Sequence, residues 1–294
     1  MPALCAIVVT YQPEPGLDLD AQVSALREQG AAVLLVDNGS EPAARRRIEA
    51  LAETTGASLL ANPRNLGLAA ALNQGVQHAM AHGFEWLATF DQDSRILPGY
   101  FAAMWRAHAA HPHPARVGIM VPQFDNQGIA ANSFAKPGSD PALPYAPAWQ
   151  AITSGSLMPV RLFNAVGPFR ADFFIDYVDH EFCLRCRQRG WLVIEARGAL
   201  LQHRLGMPVQ HRLGWMRPVV THHTPLRHYY RARNRLAVYR QYGGFDPCWL
   251  ARDLKETLRN YAKLVLFERQ RGAKLAFILR GCWHGLTGRM GEVS

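Results

Sequence analysis

No stretch of this 294-residue sequence holds the roughly 18 unbroken apolar residues that a membrane-spanning helix needs, so no spanning helix is expected. The first residues, Met1-Pro2-Ala3-Leu4-Cys5-Ala6-Ile7, lack a basic region followed by an apolar run and a cleavage site, so no secretory signal is expected. Cysteine is scarce: five residues, an odd number, scattered along the chain. That usage argues against a disulfide framework and for reduced thiols in a cytoplasm. The CxxC at Cys183-Leu184-Arg185-Cys186 has no second pair, whereas structural zinc takes four ligands. It reads as two packed helical thiols. His203, His211, His222, His223 and His228 crowd the rear of the chain, but no HExxH is present. There is no internal repeat and no low-complexity tract. Charged residues are only 19% and hydrophobic residues 49%, a globular balance with enough apolar mass for one large domain or two small ones.

The charge is unevenly placed. Residues 1–184 hold 11 Lys and Arg against 17 Asp and Glu, a net −6. Residues 185–294 hold 21 against 6, a net +15. A basic rear half points to an anionic partner: nucleic acid, phospholipid or a phosphorylated substrate. The rear carries no recognised nucleic-acid-binding motif, and an acidic front cleft would repel a phosphate backbone.

Apolar runs at Cys5–Val9, Val33–Val36, Ser58–Leu60, Trp86–Phe90 and Val117–Val121 alternate with helical patterns through Leu26 and over Pro42–Glu53, Leu68–Ala81 and Pro98–His108. This alternation predicts an α/β fold with parallel strands and helices on both faces. Phe124–Trp149, rich in Pro, Gly and Ala, reads as a long loop or irregular hairpin. Phe173–Trp191 contains a helix with carboxylates crowded at its start. Beyond Gly198 the chain reads as basic and mostly helical, with helices over Leu226–Tyr242, Cys248–Phe267 and Lys274–His284.

In open α/β sheets, ligands bind beyond the carboxyl ends of the strands. Thr10-Tyr11, Asp37-Asn38 and Asp91-Gln92-Asp93 stand at such ends. Asp91 and Asp93, one residue apart, can hold a hard divalent cation, which takes one or two carboxylates together with substrate phosphates. The plainer alternative is a solvated acidic turn. Asp37-Asn38-Gly39-Ser40 makes a tight turn, and its carboxylate can also meet a base imide. Asn65-Leu66-Gly67 opens a helix of small residues, suited either to a diphosphate at the helix N-terminus or to tight packing on the sheet. Asp172, Asp176, Asp179 and Glu181 lie among aromatic residues, where one of them can serve as a general base.

Taken in order, Val8-Val9-Thr10-Tyr11, Val36-Asp37-Asn38-Gly39-Ser40, Asn65-Leu66-Gly67, Ala71-Leu72-Asn73-Gln74-Gly75 and Asp91-Gln92-Asp93-Ser94 resemble the family 2 glycosyltransferases with the GT-A fold. Ile175-Asp176-Tyr177-Val178-Asp179-His180-Glu181-Phe182-Cys183-Leu184-Arg185 and His223-Thr224-Pro225-Leu226-Arg227-His228-Tyr229-Tyr230-Arg231-Ala232-Arg233-Asn234 resemble the bacterial rhamnosyltransferase branch. The resemblance covers Leu4 to about Arg240. It implies a Rossmann-like nucleotide-diphospho-sugar transferase domain over residues 1–205, with its nucleotide-sugar side through about 123 and its acceptor side after that. A helical basic extension over 206–294 follows.

The same resemblance implies an inverting enzyme that moves L-rhamnose from dTDP-L-rhamnose to a lipid-linked or polysaccharide acceptor of O-antigen type. Thr10, Tyr11 and Asp37 would hold the base, and Asn65 and Gly67 would line the nucleotide pocket. Asp93, with Asp91 beside it, would bind Mg2+ or Mn2+. His203 would lie near the diphosphate, in a segment resembling the family's HxxG. Asp179 would be the base, with Glu181 in the spacing of a supporting acid. Asp176 and Arg233 would belong to the acceptor side. The expected place is the cytoplasm, or the cytoplasmic face of the inner membrane with Leu264–Phe267 and Leu275–Leu279 as an apolar anchor; core contact between helices is the plainer reading of those two segments. Transfer of another hexose or of an N-acetylhexosamine, and a non-catalytic sugar-nucleotide-binding protein, are the alternatives.

Overall fold

The structure is a computed structural model and describes residues 2–124, 134–203, 208–210, 219–221, 223–268 and 270–293. The chain divides into two compact units, Met1–Phe174 with Val178–His203, and Ile175–Tyr177 with Arg204–Ser294.

The first unit is built on one mixed sheet. Strands β1 (Leu4–Thr10), β2 (Ala32–Asp37), β3 (Ser58–Ala61) and β4 (Trp86–Asp91) run parallel in the order β3-β2-β1-β4. Every residue of β1 is buried, which is why it reads as an unbroken apolar run rather than as an alternation. Helices α1 (Leu19–Glu28), α2 (Pro42–Thr55) and α3 (Leu68–Ala81) connect these strands. Asp18 caps α1 by accepting the Ala21 N–H at 3.1 Å. Pro42 stands at the start of α2, and Gly56 ends it in the left-handed conformation. The small residues of α3 serve packing: Ala69, Ala71 and Ala79 are fully buried, and a Cβ on Gly75 would come within 2.5 Å of the Ile7 side chain.

Beyond β4 the sheet becomes mixed, contrary to the simple alternation. Strand β5 (Ser94–Ile96) follows β4 at once, and α4 (Tyr100–Ala110) leads to β6 (Val117–Phe124). Strands β7 (Tyr145–Pro147) and β8 (Ser156–Pro159) precede the long β9 (Leu192–His203). Strand β8 is antiparallel to β4 and β6, β6 is parallel to β9, and β5 and β7 are antiparallel to β9. Three- and four-residue strands carry too few residues to show a period. The expected helical run after Gly198 begins later, because β9 continues to His203. Residues 125–133 lie outside the described residues. The remainder of that stretch forms the irregular hairpin, with Lys136 N–H donating to Pro147 at 2.8 Å and Trp149 N–H to Phe134 at 3.1 Å. Helix α5 (Arg161–Val166) is short. Helix α6 (Val178–Gln188) buries Cys183 and Cys186 as packed thiols, and burial pushes the Cys186 thiol up.

The second unit holds the small hairpin β10 (Pro208–Gln210) and β11 (Val219–Thr221), then helices α7 (Pro225–Tyr242), α8 (Pro247–Phe267) and α9 (Arg271–Thr287). Glycines let α9 lie close on α7: a Cβ on Gly285 would come within 2.7 Å of the Arg233 carbonyl, and one on Gly281 would strike the Tyr229 carbonyl. Ala232, Leu264 and Ile278 form a compact apolar core there. Arg233, expected on the acceptor side, is interior to this unit. It is 0% exposed, its guanidinium lies 4.9 Å from the Tyr230 ring centre, and it donates to the Gly291 carbonyl at 2.5 Å. A cation this deeply buried persists only when its donors are satisfied, and Arg233 meets that condition within its own unit.

Candidate active site

Parallel pairing brings the ends of the first four strands level. Thr10 stands opposite Asp37, Asp37 opposite Ala61, and Val9 opposite Asp91. The loops leaving these ends are then bonded to one another.

The turn after β4 is the most constrained. Gln92, between the two acids, accepts the Tyr11 N–H at 2.9 Å and donates to the Tyr11 carbonyl at 3.2 Å. The Asp91 N–H donates to Ser154 Oγ at 3.1 Å, and the Asp91 carbonyl accepts Gln22 Nε2 at 2.9 Å. Ser94 Oγ meets Ser154 Oγ at 2.5 Å. Backbone groups and Gln92 therefore hold the turn, and the half-buried side chains of Asp91 and Asp93 are carried on a pinned frame.

The turn after β2 and the loop after β3 are tied together by amides. Asn38 Nδ2 donates to Asn65 Oδ1 at 3.0 Å, and Asn38 Oδ1 accepts Asn62 Nδ2 at 3.2 Å and the Leu66 N–H at 3.0 Å. Asn62 and Gln74 exchange two further bonds at 2.9 and 2.8 Å. Asp37 is 0% exposed; its carboxylate accepts the Ser40 N–H at 3.3 Å and pairs with Arg45 at 3.2 Å. Thr10 is also 0% exposed, with its hydroxyl 3.5 Å from the Val36 carbonyl. Both shape the turns, and of the three residues expected at the base Tyr11, 45% exposed, is the one that reaches the surface.

The approach to α3 is held by protein acceptors. Leu66, Gly67 and Leu68 donate their N–H groups to Asn38 Oδ1, to Asn65 Oδ1 at 2.8 Å and to the Phe174 carbonyl at 2.6 Å. A diphosphate arriving there would have to displace these acceptors from Leu66, Gly67 and Leu68. Gly67 is required sterically, at φ +87°, because a Cβ would stand 2.7 Å from Phe174.

Asp179 lies in the first turn of α6, half-buried, with Oδ1 accepting the His180 N–H at 2.8 Å. It lines a narrow pocket with Thr153, Ser156, Met158, Phe169 and Phe182. The segment Thr153-Ser154-Gly155-Ser156 thus joins the two acidic places: Ser154 bonds the turn that carries Asp91, and its neighbours line the pocket of Asp179. Gly155 allows the bend at φ +82°, where a Cβ would meet Pro122 and the Tyr100 hydroxyl at 2.8 Å. Sequence reasoning passed over this segment; its only signal was a run of small hydroxyl residues just before an apolar strand.

The remaining expected residues are placed differently. Glu181 is 1% exposed and paired with Arg185 at 2.8 Å, whose guanidinium also holds the Val166 and Pro168 carbonyls. Its carboxylate braces α6. Asp176 belongs to the second unit, where it pairs with Arg227 at 3.2 Å. Phe174, Asp176 and Tyr177 adopt φ of +64°, +62° and +64°, a costly run for residues with side chains, each worth about 1–3 kcal/mol of strain. Asn234, fully buried, donates to the carbonyls of Ile175 and Asp176 at 2.8 and 2.9 Å. The Tyr177 hydroxyl donates to Asp253 at 2.9 Å and accepts from Arg235 at 2.7 Å. His203 ends β9 opposite Ser94; its side chain and the four residues that follow it lie outside the described residues.

Residues 5–144 match the model of the family described as glycosyl transferase family 2. Over 246 residues the chain is 30% identical to the dTDP-rhamnosyl transferase RfbF of Shigella flexneri, covering 80% of this chain and 79% of that protein. The mannosyltransferase PcManGT from Pyrobaculum calidifontis, solved with GDP-Man and Mn2+, matches with a TM-score of 0.60 at 16% identity, over 98% of this chain and 88% of that one. GalNAc-T7, solved with UDP, GalNAc and Mn2+, matches with a TM-score of 0.60 at 14% identity over 81% of this chain; the match spans 48% of that enzyme. These structural likenesses show the fold, which is of the GT-A kind.

Proposed function

The chain belongs to glycosyl transferase family 2 and is a hexosyltransferase, and on that footing we propose that it moves L-rhamnose from dTDP-L-rhamnose to a lipid-linked or polysaccharide acceptor, with inversion at the anomeric carbon. The observation that carries the reading is the pinned turn bearing Asp91 and Asp93, joined through Ser154 to the segment that lines the Asp179 pocket. The 30% identity to RfbF supports the sugar.

Asp179 takes the proton of the acceptor hydroxyl as that oxygen bonds to the anomeric carbon. The bond from that carbon to the diphosphate oxygen breaks on the opposite face. A single displacement with a single base inverts the centre. Asp91 and Asp93 fit a divalent cation by the chemistry of their donors: two hard carboxylates, one residue apart, leave room for diphosphate oxygens. Bound there, Mg2+ or Mn2+ would offset the charge that grows on the departing diphosphate. Tyr11, the exposed member of the β1 end, is offered to the base, and Gln92 holds its backbone in place.

The test is donor hydrolysis. Purified protein is incubated with a panel of nucleotide sugars and Mg2+ or Mn2+, and free nucleoside diphosphate is followed. Release from dTDP-rhamnose, suppressed by chelator, is expected. Release from another donor alone would overturn the sugar and keep the class.

We also infer that the second unit rests on an anionic bilayer at the cytoplasmic face of the inner membrane. Among the described residues, no helix is long and apolar enough to cross a membrane. Leu275, Leu279, Trp283 and Leu286 recur at i, i+4, i+8 and i+11 on α9 and are 40–70% exposed. Leu254, Leu258 and Val265 are exposed on α8, whereas Leu264, expected in the same anchor, is buried in the core between the helices. Exposed leucines and a tryptophan on basic helices match the chemistry of an anionic interface. The protein is expected to co-sediment with phosphatidylglycerol vesicles, and Leu279→Ser with Trp283→Ser is expected to lower the bound fraction severalfold. Equal binding by the double variant would remove the apolar face from the account.

A further inference from the structure

Helices α7 and α8 line an open cavity of about 310 Å3 that the transfer chemistry above does not use. That is near the lower end of small-ligand pockets, roughly 300–1,000 Å3. Helix α7 presents His228, Arg231 and Arg235 to it at i, i+3 and i+7, and α8 presents Glu256, Arg259, Asn260 and Lys263 at i, i+3, i+4 and i+7. Both helices therefore turn one continuous face toward it. Tyr261, His223 and Glu268 complete the lining.

Part of this charge is already balanced. Glu268 pairs with Lys274, and Arg235 lies 3.7 Å from Asp253 and donates to the Tyr177 and Tyr261 hydroxyls. Arg231 and Arg259 have no ion pair among the described residues, so the cavity keeps a cationic excess over the one remaining acid, Glu256. An independent sign comes from His228. It is 8% exposed, and its Nε2 is buried without a hydrogen-bond partner, 3.8 Å from the nearest Glu268 oxygen. A buried nitrogen left unsatisfied is destabilising unless a ligand meets it. Burial, followed by the Arg227 and Arg231 charges, pushes His223 down to about 4, and burial also lowers His228. Near neutral pH both rings are uncharged, leaving the arginines and Lys263 as the cations. Two guanidinium forks and one imidazole N–H suit a ligand that only accepts hydrogen bonds and carries several oxygens. Phosphate esters meet that description better than sugar hydroxyls do.

We propose that this cavity binds a phosphate or diphosphate group, with Arg231 and Arg259 as its charged donors and His228 as a buried hydrogen-bond donor. The inference deepens the transfer reading by naming the anionic group of a lipid-linked acceptor, but the binding itself does not depend on which sugar is moved. The same chemistry can come from a lipid diphosphate or from a phospholipid headgroup.

The experiment is calorimetric titration of the full chain with inorganic pyrophosphate, in chelator so that the Asp91 and Asp93 site draws no metal. Saturable binding is expected. Arg231→Gln with Arg259→Gln is expected to weaken it by about tenfold or more, the worth of one charge-assisted hydrogen bond. Asp93→Asn is expected to leave it unchanged. Arg259 is exposed on α8, so Arg259→Gln alone keeps the test decisive if the double variant unfolds. Farnesyl diphosphate and dihexanoyl phosphatidic acid are titrated in parallel. Tighter binding of the first supports a lipid diphosphate, and tighter binding of the second supports a headgroup. No pyrophosphate binding by the wild type, or binding that neither arginine variant weakens, would overturn the site. Because the readout is binding, that failure would leave the donor hydrolysis result standing, and the reverse holds as well.

Discussion

Asp179→Asn is expected to lower kcat by about 10²- to 10⁴-fold, the usual worth of a positioned general base. The substitution conserves shape and leaves Oδ1 able to accept the His180 N–H, which Asp179 does at 2.8 Å. It adds no bulk to a narrow pocket already bounded by Met158, Phe169 and Phe182. What it removes is the ability to hold a proton. The melting temperature and the affinity for the nucleoside diphosphate should therefore stay close to wild type while turnover collapses. Steady-state kinetics alongside a thermal melt and a nucleotide titration would check this. Turnover within a few fold of wild type would deny Asp179 the role of base. Glu181 is the natural contrast on the same helix: at 1% exposure and paired with Arg185, its carboxylate acts on the stability of α6.

Asp93→Asn is expected to reduce kcat/KM by about 10²- to 10³-fold, comparable to removing one preorganised charge-stabilising group. Its signature is more telling than its size. The turn that carries Asp93 is held by Gln92, Ser154, Gln22 and backbone groups, so the frame should survive the change. Donor affinity measured in chelator should then match wild type, while the tightening that Mg2+ or Mn2+ confers on wild type should be lost. Titrating a nucleotide sugar with and without metal, for both proteins, gives the four numbers needed. A variant that keeps the full metal effect would place the cation elsewhere.

Much of the first unit is legible in the sequence. Strands β1 to β4 and helices α1 to α3 fell within a few residues of their expected places, because buried parallel strands show as unbroken apolar runs and each helix carries its own stop or start signal. Helix α3 matched end to end, at Leu68–Ala81. Strands β5, β7 and β8 were not legible. Each is only three or four residues long, and it exists because a neighbour supplies its hydrogen bonds. Strand β9 hid for a related reason: Arg197 and Gly198 interrupt its apolar pattern, and the pairing with β6 shifts register between Val121 and Gln123.

The chemistry divides the same way. Sequence alone determined which residue types stand at the strand ends and at the start of α6. That followed from local rules: a carboxylate after an apolar run, a glycine where φ must be positive, acids in the first turn of a helix. Only the tertiary structure decided which of those groups remain available. It turned Asp37, Glu181 and Arg233 inward onto partners, bonded the Leu68 N–H to the Phe174 carbonyl, and left Asp91, Asp93 and Asp179 half-buried on braced frames. It also brought Ser154 to the Asp91 turn from 63 positions away. A residue's type is a property of the chain, but whether its polar atoms are already satisfied depends on which distant segments the fold packs against it. That accounting exists only in three dimensions.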